Sequence, residues 1–341
     1  MKKQISVLIV AILLGVVLLA CEKTPSTITL TYSIFFPPSH GQSEAGTEWA
    51  REIEKRSNGR IKINVFPGGT LTKANECYDG VVKGISDIGM SCFAYTRGRF
   101  PIMEALDLPL GYPNGKTATY TANAFYQKMK PRELDDVKVL YLHAHGPGLL
   151  HTTKPVRSLG DLKGMKIRST GLSAKIVEAL GATAVAMSQG ETYEALQKGV
   201  VEGTFTPIET LKGWRQGEVI RYTTDCPQIG YTTSMFVVMN RNKWEALPQD
   251  IKDVFSSVSA EWINIHADTW DRLDVEGREY SLGLKNEIIR LSESSTPEWV
   301  KAVEPIIDAY IKDTNAKELP GDLAVTELRR LIATFRKQYA D

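Results

Sequence analysis

The sequence contains few cysteines, and their spacing excludes the commonest cysteine-based sites. Four cysteines occur in 341 residues, and none of them forms a Cys-x-x-Cys pair, so zinc sites and thioredoxin-like motifs of that type are absent. Three of the four, Cys77, Cys92 and Cys226, follow the N-terminal leader. An odd number of cysteines in an exported protein leaves at least one thiol unpaired, unless it bonds another chain.

The sequence also lacks an excess of charge of either sign. It has 41 Lys and Arg against 40 Asp and Glu, a formal net charge of +1. No strong basic field is available to recruit nucleic acid, and we expect no such partner. A hydrophobic content of 43% and a charged content of 24% are typical of a soluble globular protein. The roughly 320 residues after the leader are enough for two domains.

Signatures of catalysis are missing as well. The chain has no GxSxG elbow, HExxH helix, Walker A loop or GxGxxG turn. His143, His145 and His151 are close together in sequence and are candidate metal ligands, but no carboxylate completes a recognisable spacing. We therefore expect neither a metal nor a cofactor and no enzyme activity. An exported hydrolase remains an alternative, because paired catalytic acids have a spatial spacing that sequence does not reveal.

The first 21 residues read as a leader rather than as part of the fold. "MKKQISVLIVAILLGVVLLAC" has two lysines, a long apolar run and a small residue before the cysteine, as in a secretory signal peptide. Its last four residues match a bacterial lipobox, so Cys21 is the expected lipidated first residue of the mature protein. Residues 22–27 form a polar tether. The alternative is a membrane-spanning anchor, since the apolar run almost reaches the necessary length.

The rest of the chain alternates between patterns typical of strands and of helices. Periodicity and turn signals predict an α/β fold without internal repeats. A largely helical C-terminal part follows Pro248 and includes a long helix over about 249–288. The predicted strands are 28–34, 60–66, 87–93, 137–145, 164–169, 182–187, 203–207 and 234–240, and the predicted helices before Pro248 are 41–57, 72–84, 172–180 and 190–199.

This alternation predicts two α/β lobes around a cleft. Lobe I is expected to contain residues 28–146 plus about 234–275, and lobe II residues 147–233 plus about 276–341. Ligands of open α/β sheets bind outside the carboxyl ends of the strands. The loops "FFPPSHG" and "SCFAYTRG", which follow two strands of lobe I, therefore belong to one wall of the cleft, and the segment around Arg168 belongs to the other.

The stretch "DLKGMKIRSTGLSAKIVEALGATAVAMSQGETYEALQKGVVEGTFTP" (161–207) carries a family pattern. With "SNGRIKINVFPGGTL" and "VMNRNKWEALPQDIKDVF", it resembles the substrate-binding proteins of tripartite ATP-independent periplasmic (TRAP) transporters, the DctP family. The resemblance extends over nearly the whole mature chain. The residues that match the shared core are Pro155, 161–164, 166–168, 180–182, Glu191, Tyr193, 195–197 and 199–203.

The resemblance implies a periplasmic-binding-protein-like fold, with a long C-terminal helix crossing both lobes, and a role for Arg168. In that family the arginine at this position holds the carboxylate of the ligand in the cleft. The chemistry agrees, because a guanidinium offers a rigid pair of donors that matches a planar carboxylate. Without the resemblance, the residues alone favour a solvated arginine at a strand end, because most arginines face solvent.

The sequence departs from the family pattern at several cleft positions. Leu149 or a neighbour stands where many members have a second arginine, Thr206 replaces an asparagine, and Gln189 lies where an aromatic residue is common. Fewer cationic donors predict a monocarboxylate ligand. The other candidate ligand contacts are Phe35, Phe36, Cys92, Phe93, Trp214 and Tyr231, and for each aromatic residue core packing is the alternative.

The implied partners are a small organic acid and the small and large membrane subunits of a TRAP permease. The implied location is the periplasm, with lipid anchoring to a membrane through Cys21. A ligand-sensing receptor that passes its signal to a membrane kinase would have the same residues and remains an alternative.

Overall fold

The computed structural model describes residues 27–339. The predicted leader, the lipidation site Cys21 and the tether residues before Thr27 lie outside this part. Within it, no helix is both long enough and apolar enough to cross a membrane.

Strands and helices alternate along the first two thirds of the chain, and the last third is mostly helical. The strands are β1 Ile28–Ile34, β2 Ile61–Phe66, β3 Ile88–Cys92, β4 Val137–Ala144, β5 Gly148–Thr152, β6 Lys166–Ser169, β7 Thr183–Ala186, β8 Gly203–Pro207, β9 Tyr222–Asp225, β10 Ser234–Asn240 and β11 Glu287–Arg290. The helices are α1 Gly41–Arg56, α2 Cys77–Val82, α3 Gly115–Met129, α4 Ser173–Ala179, α5 Gln189–Gln197, α6 Thr210–Gly213, α7 Arg241–Ala246, α8 Gln249–Gly283, α9 Thr296–Val303, α10 Pro305–Asn315 and α11 Gly321–Tyr339.

The strands form two sheets, one in each lobe, which confirms the predicted two-lobe α/β fold. The sheet of lobe I has the order β2-β1-β3-β10-β4, with β1 parallel to β2 and β3 and with β10 antiparallel to both neighbours. The sheet of lobe II has the order β11-β9-β5-β8-β6-β7. Apolar side chains such as Tyr32, Trp49 and Ile53 are fully buried between the first sheet and α1.

The chain passes between the lobes several times. It leaves lobe I between β4 and β5 and returns between β9 and β10, and these two crossing segments are hydrogen-bonded to each other. The Gly148 N–H donates to the Tyr231 carbonyl (2.9 Å), and the Thr232 hydroxyl donates to the His145 carbonyl (2.6 Å). Helix α8, 35 residues long, packs on α1 and α3 of lobe I and on α6 of lobe II. The long helix predicted over 249–288 is therefore present and spans both lobes.

Helix α11 packs on lobe I rather than on lobe II, where the sequence-based boundary of 276–341 assigns it. Its amphipathic stripe, with Leu328, Leu331 and Ile332 buried, faces inward, and the helix lies along α3. At its end the Tyr120 and Tyr339 rings stack with their centroids 4.8 Å apart. Helix α11 lies on lobe I because its apolar stripe is covered by α3. Helix α3 is not among the helices predicted from the sequence.

Helix α2 is shorter than the predicted helix 72–84. The Thr72 hydroxyl hydrogen-bonds to the Ser33 hydroxyl (2.6 Å), and the Thr72 N–H donates to the Ser33 oxygen (3.3 Å). These bonds hold the start of this segment against β1 in an irregular conformation, and the helix begins only at Cys77.

Candidate functional site

A cavity lies between the two lobes, where the strands of both sheets end. Lobe I contributes the loop after β1, the end of β3, the start of β10 and one turn of α8, and lobe II contributes the ends of β6 and β8. The lining residues are Phe35, Phe36, Cys92, Tyr95, His145, Arg168, Thr170, Gln189, Thr206, Pro207, Glu209, Thr210, Trp214, Tyr231, Thr233, Met235 and Trp270.

Local structure fixes the position of Arg168. It is the third residue of β6, which lies between β7 and β8 with parallel pairing on both sides. The strand follows Gly164, whose φ of +82° suits glycine. After the strand, the Ser173 hydroxyl accepts the Thr170 N–H (3.1 Å) and donates to the Thr170 carbonyl (2.6 Å), which fixes the turn into α4. The guanidinium is therefore carried by a rigid strand and not by a loop.

Arg168 is a buried cation without an acidic partner. It is only 3% exposed. Its Nε and Nη2 atoms donate to one acceptor, the Met187 carbonyl, at 3.1 and 3.0 Å. Among residues 27–339, no Asp or Glu forms an ion pair with it. A buried charge normally has a counter-ion, because removal from water costs several kcal/mol, so this site is prepared for an anion.

The charge of Arg168 acts on the groups around it. Burial raises the pKa of Cys92 and of Tyr95, and the positive charge of Arg168 opposes the rise in both. The same two opposing effects apply to the pKa of Tyr231. These three side chains therefore remain neutral at ordinary pH and none of them neutralises the guanidinium.

Two further polar groups in the cavity lack partners. The Gln189 Nε2 amide and the Thr233 hydroxyl are buried and form no hydrogen bond within residues 27–339. The Gln189 backbone N–H donates to the Tyr95 hydroxyl (3.2 Å), which joins lobe II to lobe I. Because unpaired buried donors are costly, these groups are available for a ligand that fills the cavity.

His145 supports the cavity wall as a neutral ring. Its Nε2 accepts the Thr233 N–H (3.0 Å), so the ring proton is on Nδ1 and is donated to the Gly146 carbonyl (2.6 Å). Burial, the largest effect, together with the charge of Arg168 lowers the pKa of His145 to about 4. The ring thus ties the two crossing segments together without adding charge to the cavity.

On the Glu209 side of the cavity the lobes are joined by a hydrogen bond. His40, the N-cap of α1, and Glu209, which follows β8, are both buried, and the His40 Nε2 lies 2.9 Å from the Glu209 Oε2. The His40 Nδ1 accepts the Gln42 N–H (3.2 Å), so Nε2 carries the proton and donates to the carboxylate.

Most of the residues predicted for the cleft are brought together in this cavity. They come from sequence positions as distant as Phe35 and Tyr231. The predicted residues that line it are Phe35, Phe36, Cys92, Arg168, Gln189, Thr206, Trp214 and Tyr231.

Phe93 and Leu149, also predicted as ligand contacts, are placed elsewhere. Phe93 is in the core of lobe I, with its ring centroid 4.9 Å from that of Phe100. It begins the 3₁₀ turn Phe93–Thr96 that follows β3, and its ring also packs on that of Phe236, with centroids 5.2 Å apart. Leu149 is in a small core of lobe II with Ile208 and Leu211. The Leu149 side chain therefore packs in the core of lobe II, and it provides no second cation for the cavity.

Several lining residues were not predicted from the sequence. Tyr95 belongs to the loop "SCFAYTRG", which was expected in the cleft wall, and was detectable there. Trp270 comes from the middle of α8, and its indole N–H donates to the His143 Nδ1 (3.0 Å). Glu209 and Thr233 come from segments beside the crossing points, and no local pattern distinguishes them from ordinary polar residues.

The candidate metal ligands do not converge. His151 is bonded to the Thr223 hydroxyl (2.9 Å) and the Thr206 carbonyl (3.1 Å), whereas His143 stacks on His266 with ring centroids 4.2 Å apart. In the part of the chain described by the structure, no group of three or more His, Cys, Asp or Glu side chains is placed to hold a metal ion. Cys77, Cys92 and Cys226 are free buried thiols.

Comparison with known proteins places this fold and cleft in a family. The family model described as bacterial extracellular solute-binding protein, family 7 (DctP) matches residues 32–313. A TRAP solute-binding protein from Rhodoferax ferrireducens T118, solved with copurified benzoate, is 28% identical with a TM-score of 0.86 and covers 91% of this chain and 99% of its own.

Two further relatives bind different kinds of acid. A marine metagenome TRAP solute-binding protein specific for aromatic acid ligands, solved with metahydroxyphenylacetate, is 30% identical with a TM-score of 0.85 and covers 90% of this chain and 99% of its own. The C4-dicarboxylate-binding periplasmic protein DctP of Vibrio cholerae is 24% identical over 90% of this chain and 94% of its own length. With a model match over most of its length and a two-lobe fold shared with solved TRAP proteins, this chain belongs to the DctP family of extracytoplasmic TRAP solute-binding proteins.

Proposed function

We propose that the protein binds a small monocarboxylate, with an aromatic or other flat apolar body, in the cleft between its lobes and delivers it to a TRAP membrane permease. The observation that carries this proposal is Arg168, a buried guanidinium without an acidic partner in residues 27–339. A ligand carboxylate would supply the missing negative charge. The free Gln189 amide and Thr233 hydroxyl would add hydrogen bonds to it.

The remaining walls of the cavity favour an apolar ligand body. Phe35, Phe36 and Trp270 come from lobe I, and Trp214 and Tyr231 from lobe II. The rings of Phe35 and Trp214 face each other across the lobes, with centroids 6.1 Å apart and an angle of 22° between their planes. Aromatic side chains supply large, rigid contact surfaces of this kind. The two relatives solved with benzoate and metahydroxyphenylacetate are consistent with such a ligand.

The charges lining the cavity favour a single carboxylate. Arg168 is the only Lys or Arg among its described lining residues, and Glu209 also lines it. A second carboxylate on the ligand would be removed from water without a matching cation, which costs several kcal/mol. We therefore expect succinate and malate to be rejected, although the Vibrio cholerae relative is a C4-dicarboxylate-binding protein.

The proposal extends to location and delivery. Cys21 would anchor the mature protein to a membrane through a lipid, and the permease subunits would receive the ligand. No bond of the ligand is made or broken in this role. Changing Cys21 to Ser should release the protein from the membrane fraction, whereas retention through an uncleaved leader would support a spanning anchor instead.

Arg168→Ala tests the binding site. Loss of a bidentate ion pair in a closed cleft costs about 2–5 kcal/mol, so the dissociation constant for benzoate should rise by at least about thirtyfold. Arg168→Lys should restore only part of the affinity, because an ammonium lacks the planar pair of donors. Isothermal titration calorimetry with benzoate, phenylacetate, pyruvate and succinate gives the measurement, and thermal unfolding of the empty protein controls for folding. Unchanged binding by Arg168→Ala, or tightest binding of succinate, would contradict the proposal.

A further inference from the structure

A carboxylate side chain, that of Glu209, also lines the cavity. Glu209 follows β8, lines the cavity and is only 2% exposed. One carboxylate oxygen, Oε2, accepts the His40 Nε2–H at 2.9 Å. The other, Oε1, accepts no hydrogen bond from any residue between 27 and 339. The His40 Nδ1 in turn accepts the Gln42 N–H, and Glu209 forms no ion pair with a Lys or Arg of residues 27–339.

Glu209 and Arg168 have separate hydrogen-bond partners. Arg168 contacts the Met187 carbonyl. Glu209 contacts His40 through its side chain, and its backbone N–H donates to the Asp274 carboxyl (3.2 Å). The ring of His40 stacks on Phe36, with centroids 4.5 Å apart. The two side chains share none of these partners, and both line the cavity.

We propose that the ligand carries a hydrogen-bond donor, a hydroxyl or amino group, in addition to its carboxylate, and that Glu209 accepts that donor. This inference rests on the proposed function, because it takes the carboxylate to be held by Arg168. A buried carboxylate oxygen that loses water on closure of the cleft needs a new donor. A ligand with a suitably placed hydroxyl provides one, and an otherwise identical ligand without it leaves the oxygen unpaired. Sites of this kind discriminate strongly against the analogue that lacks the polar group.

Glu209→Gln separates this role from that of a purely structural contact. Glutamine keeps one side-chain oxygen, which can still accept the His40 N–H, but it replaces the other oxygen with an NH₂ group. That group is a donor and opposes the donor of the ligand. If the His40–Glu209 contact only holds the lobes together, the substitution should weaken all ligands by the same factor.

The experiment compares matched ligands in calorimetric titrations of the wild-type protein, Glu209→Gln and Glu194→Gln. Glu194 is an exposed carboxylate of the same lobe, paired with Lys198, and its change controls for the loss of one negative charge. The ligands are benzoate and its 2-, 3- and 4-hydroxy and 3- and 4-amino derivatives, with propionate and lactate as an aliphatic pair. The hydroxy and amino series distinguish a neutral donor from one that can carry charge.

The wild-type protein and Glu194→Gln should bind at least one donor-bearing acid about tenfold or more tightly than its unsubstituted parent. Glu209→Gln should reduce that ratio to about one while the affinity for the parent acid changes little. An equal loss for both members of each pair, or a ratio unaffected by Glu209→Gln, would overturn the inference and leave the Arg168 site intact. Binding of none of these acids by the wild-type protein would overturn the proposed function together with the inference.

Discussion

At the scale of single residues, the buried ionisable side chains fall into two groups. His151 and His266 have partners on both ring nitrogens within the protein. Burial lowers the pKa of His151 to about 4 and that of His266 to about 3. Arg168 and Glu209, in contrast, line the cavity, and neither forms an ion pair with a Lys, Arg, Asp or Glu of residues 27–339. The first group affects stability, and the second group is free to act on a ligand.

The neutral buried histidines should make stability depend on pH. The unfolded chain takes up a proton on His151 near pH 6.5, but the folded protein does so only near pH 4. Between these values the unfolded state binds more protons, so the free energy of unfolding should fall as the pH is lowered from about 6.5 to about 4. At pH 5 each such histidine should cost roughly 1–2 kcal/mol.

His151→Gln tests this effect, because glutamine can imitate both hydrogen bonds without titrating. Urea unfolding at pH 7 and pH 5 should show a smaller difference for the variant than for the wild-type protein. An equal difference in the two proteins would mean that His151 already carries its proton in the folded state at pH 5.

The sequence identified Arg168 but not Glu209, for a physical reason. Arg168 lies inside the stretch from Asp161 to Pro207 that resembles the TRAP family, and its role was expected from that resemblance, whereas strand and turn signals alone do not distinguish it from a solvated arginine. Glu209 is recognisable as a cleft residue only through its hydrogen bond to His40, 169 residues away in sequence. Trp270 reaches the cavity because α8 passes beside it. Contacts made across a cleft depend on tertiary structure and leave no periodic signal in the chain.

At the scale of elements, helix α8 determines how closely the two lobes are held together. Its Gly277 lies against the segment that follows β8. A Cβ at this position would overlap the Ile208 carbonyl oxygen and lie 2.8 Å from the Glu209 Cα. The absence of a side chain therefore permits a backbone-to-backbone approach beside the cavity.

Gly277→Ala should destabilise the protein by about 1–3 kcal/mol, since overpacking outweighs the better helix propensity of alanine. Gly283→Ala is the matched control on the same helix, because a Cβ there meets nothing within 4 Å, and it should be neutral or slightly stabilising. Thermal unfolding of both variants gives the comparison. Equal melting temperatures for the two would show that α8 can move away from residues 208–209 without cost.

The elements that the sequence predicted are those with a clear period. Strands β1, β2, β6 and β8 agree with prediction to within two residues. Helix α3 was missed, as were β9 and β11. The last two are only four residues long, Tyr222–Asp225 and Glu287–Arg290, and they pair with each other across more than 60 positions. Such short strands are defined by their partner in the sheet and not by their own pattern.

At the scale of the whole molecule, the two lobes approach each other closely beside Arg168. Gly171, with φ of +52°, follows β6 in lobe II. A Cβ on it would overlap the Asp107 carboxyl and lie 3.2 Å from the Ala94 Cα, both of which belong to lobe I. A side chain at this position would therefore hold the lobes apart.

Gly171→Ala should weaken binding of the tightest monocarboxylate by about tenfold or more, because closure can no longer bring the walls of the cavity together. Gly164→Ala is the control, since it has the same kind of backbone (φ +82°) in the same lobe but a Cβ there meets nothing within 4 Å. Both variants should lose about 1 kcal/mol of stability from the positive φ. Calorimetry should show a binding defect only for Gly171→Ala, and equal binding by the two variants would mean that the lobes close without this contact.

The position of β10 between β3 and β4 also bears on the order in which the protein can assemble. Strand β4 pairs only with β10 within the described sheets, and β10 is formed by residues 234–240, about ninety positions after the end of β4. During synthesis β4 therefore cannot pair with β10 until β5 to β9, all the strands of the second sheet except β11, have been made. Contacts of such long sequence separation slow folding. A chain whose central pairing forms this late remains extended for longer during synthesis, so the unpaired edge of β4 is open to other partners until β10 is made.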